Sequence, residues 1–99
     1  MAISLSRILA TFAQERFREV TVYTLVVFSV IAEEHPHGVP QSQLGKFPAL
    51  LDGSKSSLAR HCRLLESLGL ISRTTMKDDR RQFNLFLTEQ GQTLWEQLK

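Results

Sequence analysis

The chain has 99 residues, 42% of them hydrophobic and 22% charged, with 5 Gly, 3 Pro and 1 Cys. That suffices for one core and leaves no room for two, and a lone thiol excludes a disulfide framework. Three scattered histidines give no tetrahedral zinc spacing, and the longest apolar run, residues 20–32, is interrupted by Thr and Ser and too short to span a bilayer. No cationic leader with a small-residue cleavage site opens the sequence, so a cytoplasmic protein with no membrane partner is expected.

Net charge is +2, but it is unevenly placed. Residues 54–88 hold seven basic groups (Lys55, Arg60, Arg63, Arg73, Lys77, Arg80, Arg81) against three acids (Glu66, Asp78, Asp79), while each flank sums to −1. A basic third in a neutral or slightly acidic frame is the footprint of a nucleic-acid reader. A solvated charged surface would give the same count.

In chain order, Leu5, Ile8, Leu9 and Phe12 recur at helical spacing, so residues 3–17 are expected to form an amphipathic helix. Its apolar surface, widened by Ile3, Ala10, Ala13 and Phe17, exceeds what a small domain covers and suggests burial by a partner. Residues 20–34 have the Val, Ile and aromatic content of a strand but run too long for one without a turn, so a buried helix is expected, ending before His35-Pro36. His35-Pro36-His37-Gly38 reads as a plain loop; two histidines without a third ligand do not make a metal site.

Gly38-Val39-Pro40 leads into a short helix from Gln41 that Pro48 truncates near Lys46 or Phe47. A turn through Asp52-Gly53 comes next. Ser54 is placed to cap a helix over residues 55–68, with Leu58, Cys62, Leu65 and Leu68 as its buried face and Gly69 closing it. Residues 70–76 and 83–88 are strand-like and are joined by a basic tip over residues 77–82. Thr88 can cap a last helix over residues 89–99, whose apolar edge is Leu94, Trp95 and Leu98.

The expected fold class is mainly α with a small β-hairpin, a single winged helix-turn-helix domain over 1–99: a helix-turn-helix at 41–68, a wing at 70–88 and a C-terminal helix at 89–99. Stepping 100° per residue from Leu58 puts Cys62 and Leu65 within about 40° of it on the core side. Ser56, Ala59, Arg60, Arg63 and Ser67 fall opposite. Two arginines among small residues suit a helix pressed on base edges, because arginine bridges guanine O6 and N7 while small side chains allow close approach. Lys55 and Ser57, at the helix start, are expected phosphate contacts. Each residue alone is more simply a solvated helix face; it is their grouping that favours a reading surface.

The chain also resembles a family. Leu44-Gly45, Ser54-Lys55-Ser56-Ser57, the run from Leu65 to Arg73, Asp79-Arg80-Arg81 and Leu87-Thr88-Glu89-Gln90-Gly91 look like the MarR-type (multiple antibiotic resistance regulator) winged-helix transcription factors, over roughly residues 20–95. The resemblance implies that residues 55–68 are the recognition helix and residues 77–82 the wing tip. It also implies that Arg81 enters the minor groove and Asp79 braces the wing, where an ordinary surface ion pair is the plainer alternative. Arg73, Lys77 and Arg80 complete the expected DNA-contacting set. The sequence ends at Lys99, ahead of the family's long dimer helices. The expectation is therefore a short form in which a small-molecule effector pocket has weak support.

A homodimer is expected nonetheless, from the apolar surface of residues 3–17 and from Trp95, with two lobes reading half-sites about one helical turn apart. Cys62 invites a redox-sensing role, but its core-face position favours an inert thiol; His61 beside it is expected to be a packing residue. No nucleophile–base pair, phosphate loop or carboxylate pair stands out, so neither an enzyme nor a cofactor is expected. The leading expectation is a sequence-specific double-stranded DNA-binding transcriptional regulator, acting as a repressor by occlusion of a palindromic site. A winged-helix protein-interaction module and a plasmid or phage architectural or replication protein are the alternatives.

Overall fold

The computed structural model describes residues 5–47, 50, 54–78 and 81–98, with Lys55 described by its backbone alone. Helix α1 spans Leu5–Phe12, and a 3-10 turn follows at Glu15–Phe17. Helix α2 spans Val22–Glu33, strand β1 is Val39–Pro40, and a second 3-10 turn covers Gln41–Lys46. Helix α3 spans Lys55–Ser67, strands β2 and β3 span Ile71–Thr75 and Phe83–Leu87, and helix α4 spans Glu89–Leu98.

The central element is α2. Thr21 caps it reciprocally: its Oγ1 accepts from the Thr24 amide at 3.2 Å, and the Thr21 amide donates to Thr24 Oγ1 at 3.2 Å. Apolar on every side, α2 buries Val27, Phe28, Val30, Ile31 and Ala32 between the other elements. The helical expectation for residues 20–34 therefore holds, because tertiary burial of half of its residues outweighs their strand propensity. Phe28 meets Trp95 of α4 edge-on at 6.0 Å. Trp95 is 6% exposed, so it belongs to the chain's own core and supplies no outward dimer surface.

One expectation needs correction. The helix expected over 3–17 is interrupted: α1 ends at Phe12, and Gln14 is extended (φ −68°, ψ 144°) before the 3-10 turn. The break lets Phe17 enter the core, 1% exposed, with its ring 4.7 Å from that of Phe12. Ile3, like the turn expected through Asp52-Gly53, lies outside the described residues. Val39–Pro40 leads into the expected short helix but also forms β1, which was not expected, with Val39 opposite Leu85 and Pro40 opposite Asn84. That short helix, Gln41–Lys46, is 3-10 in form and ends at Lys46, within the expected limit.

The sheet has three antiparallel strands in the order β1-β3-β2, with Ile71 opposite Leu87 and Thr75 opposite Phe83 across the hairpin. Leu85 and Leu87 point into the core on alternate positions. Phe86, which breaks the alternation, is half-buried with its ring against Gly38.

Two local devices set the ends of α3 and α4. After α3, Gly69 adopts φ 76°, its amide bonds the Glu66 carbonyl at 2.9 Å and the Leu70 amide bonds the Leu65 carbonyl at 3.0 Å, which is a Schellman closure. Before α4, Thr88 Oγ1 accepts from the Gly91 amide at 3.0 Å and donates to the Gly69 carbonyl. Gly91 is buried where α4 meets the chain entering β2. A Cβ there would collide with the Leu70 carbonyl oxygen, so the Leu-Thr-x-x-Gly pattern encodes a cap and a close helix approach.

Candidate nucleic-acid interface

Helix α3 separates its residues by side, as the 100° step predicts. Leu58, Cys62 and Leu65 are buried, whereas Ser56, Arg60, Arg63 and Ser67 are exposed and Ala59 and Ser57 are half-buried. No ion pair engages Arg60 or Arg63 among the described residues. Ser54 Oγ accepts from the Ser57 amide at 3.2 Å, so the first turn of α3 is capped by the expected residue. The Lys55 side chain lies outside the described residues.

The β2–β3 hairpin rises beside this helix. The Met76 amide donates to the Gln82 carbonyl at 3.0 Å, extending the pairing past the strand ends. Lys77 and Arg81 are exposed near the tip, while Asp79 and Arg80 fall outside the described residues. An open cavity of about 300 Å³ lies between the second 3-10 turn, α3 and the hairpin; Ser42, Leu58 and Arg81 all line it, so Arg81 and the N-terminal half of α3 border one space. Arg73 is held differently. Its Nε bonds Glu66 Oε2 at 3.1 Å, and its guanidinium lies 4.7 Å from the centre of the Phe83 ring.

No family model and no curated protein matches the sequence. Among solved structures, MarR superposes with a TM-score of 0.71 at 23% identity, over 92% of this chain and 61% of that one. The chain has the MarR-type winged-helix fold. A probable transcriptional regulator from Pseudomonas aeruginosa gives 0.68 at 26% identity, covering 94% and 67% of the two chains. S. aureus MepR in its complex with DNA gives 0.69 at 23%, covering 93% and 73%. The chain spans about 61% of the length of MarR.

The helix expected to be the recognition helix is α3, and the hairpin expected to be the wing is β2–β3. The support of α3 is apolar and hydrogen-bonded. Buried His61, 9% exposed, bonds Thr24 Oγ1 through Nδ1 at 2.9 Å, and its ring packs at a 43° tilt 5.1 Å from that of Tyr23, tying α3 to the first turn of α2. Burial, with Arg60 beside it, holds the His61 imidazole below its usual pKa. Burial also pushes the Cys62 thiol up to about 11, against weaker opposing pulls from Arg73 and Arg63, so at neutral pH it is a protonated core side chain.

Sequence reasoning missed three contacts. Glu66 and Phe83 are the partners of Arg73, and Ser42 Oγ donates to Gln82 Oε1 at 3.2 Å, linking the second 3-10 turn to the wing. Only tertiary packing brings these groups together, so no local pattern announces them. Among the described residues no group of three or more His, Cys, Asp or Glu could hold a metal, and no helix is long and apolar enough to cross a membrane.

Proposed function

We propose that the chain is a sequence-specific double-stranded DNA-binding transcriptional regulator that works as a dimer and represses by occluding a two-fold-symmetric site. The observation that carries this reading is the outward side of α3, where Arg60 and Arg63 stand exposed among Ser56, Ala59 and Ser67 while Leu58, Cys62 and Leu65 hold the opposite side in the core. Arg60 and Arg63 read base edges in the major groove, and the small residues let the helix backbone approach. Lys55 and Ser57 bind phosphate at the capped helix start, and Lys77, Arg80 and Arg81 of the wing reach the neighbouring backbone or minor groove. The likeness to MepR, whose structure is a DNA complex, supports the same reading.

The dimer is argued from α1, none of whose residues is buried. Leu5 and Leu9 are 69% and 63% exposed on it, an apolar side that a second copy would cover. No catalysis is proposed.

The test is selection of bound duplexes from a random library at physiological salt. Enrichment of a motif with two related half-sites about one helical turn apart is the expected result. A motif without symmetry would remove the dimer, and an unenriched pool would remove DNA reading in favour of protein docking by the basic face.

A further inference from the structure

We propose that Arg73 is a positioning residue that braces the wing against the recognition helix and makes no DNA contact itself. This rests on the DNA-binding reading above. Alternation along β2 puts Arg73 on the same side as Ile71, which is 2% exposed, so its stem leaves the sheet toward the core side where α3 lies. Arg73 stands opposite Leu85 and Phe83 opposite Thr75, which makes Arg73 and Phe83 diagonal neighbours on one face of the hairpin. Glu66 comes from the last turn of α3.

The guanidinium uses two features at once. Its Nε bonds Glu66 at 3.1 Å, and its Cζ lies over the Phe83 ring, 4.7 Å from the ring centre. One side chain thus joins the end of α3, the middle of β2 and the start of β3. The pair is about one-third exposed (31% and 37%), so it adds little to folding stability, yet it fixes the angle at which the wing leaves the helix. Lysine could not replace it, having neither the fork nor the flat face.

The decisive variant is Glu66→Gln. It raises the net charge by one and releases Arg73, so if Arg73 bound phosphate, duplex affinity would stay level or rise. The brace requires the opposite: both Glu66→Gln and Arg73→Gln weaken binding to a selected duplex by roughly three- to ten-fold, and the double variant binds no worse than either alone. Arg73→Lys is expected to match Arg73→Gln, whereas a phosphate-contacting role would let it bind nearly as wild type does.

Amide exchange at Met76, which closes the wing onto Gln82, supplies a readout without DNA and is expected to quicken several-fold in both variants. Undiminished binding by Glu66→Gln overturns the brace. If the wild-type chain binds no duplex, the DNA reading falls and exchange alone decides: unchanged Met76 protection in both variants overturns the brace, and faster exchange upholds it.

Discussion

At the residue scale, arginine and lysine on the proposed surface do different work, and substitution separates them. Arg60, exposed on α3, is expected to read a base; Arg60→Ala should cost about 1–3 kcal/mol on the selected site and relax preference at one position of the motif. Lys77, exposed on the wing, is expected to meet phosphate. Lys77→Ala should weaken binding to all duplexes alike and lower the salt slope by about one. Fluorescence anisotropy over a salt series with matched and mutated duplexes measures both, and equal loss on every duplex for Arg60→Ala would remove it from base reading.

His61 sets a pH response. Its folded-state pKa lies below the ordinary 6.5, because burial and then Arg60 disfavour the imidazolium. The unfolded chain therefore takes the proton first as pH falls. Stability contributed by neutral His61 is complete above 6.5, falls from there downward, and levels off once pH has passed the lowered folded value. Urea unfolding at about pH 7 and 5.5 should show this loss in the wild type and less of it in His61→Asn, whose amide can still bond Thr24 but does not titrate.

At the scale of elements, the contact between α4 and the chain entering β2 reverses an ordinary rule. Glycine to alanine inside a helix normally stabilises by about 1 kcal/mol. At Gly91 the new methyl would strike the Leu70 carbonyl oxygen, so Gly91→Ala should destabilise by about 1–3 kcal/mol, seen as a lower Tm in thermal unfolding. A Tm at or above wild type would mean that α4 can move aside without cost.

Elements bounded by local chemistry were legible in the sequence. Ser54, Gly69 and Thr88 mark the ends of α3 and α4 because a capping hydroxyl or a positive φ is a property of that residue and its neighbours. The partition of α3 was legible for the same reason, since the spacing of Leu58, Cys62 and Leu65 fixes the core side and hence the exposed one. β1 was not, because two residues carry no period and Val39 finds its partner Leu85 only through the fold. The break after α1 was hidden too. No Gly or Pro marks it, and the burial of Phe17 dictates it. The Arg73 contacts needed the packing of α3 on the hairpin, which charge counting cannot supply.

At the scale of the whole molecule, the net basic excess and the exposed leucines belong to different parts. The basic excess lies in α3 and the wing, whereas the exposed leucines lie on α1. Self-association through α1 would thus leave the proposed reading surface available. Leu5→Ser with Leu9→Ser should convert a species near twice the 11.3 kDa chain mass into one of single mass in sedimentation equilibrium at micromolar concentration, while keeping the helical circular dichroism of the fold. A wild-type chain of single mass under those conditions would remove the dimer.

Strand β1 has a consequence for solubility. It lies at one margin of the sheet, is two residues long and ends in Pro40, which has no amide hydrogen to offer a neighbouring chain. That margin is a poor template for a fourth strand from another molecule. Cross-chain β-pairing, the usual route from a small sheet to aggregates, is disfavoured there by the same short segment that joins the helical half of the molecule to the hairpin.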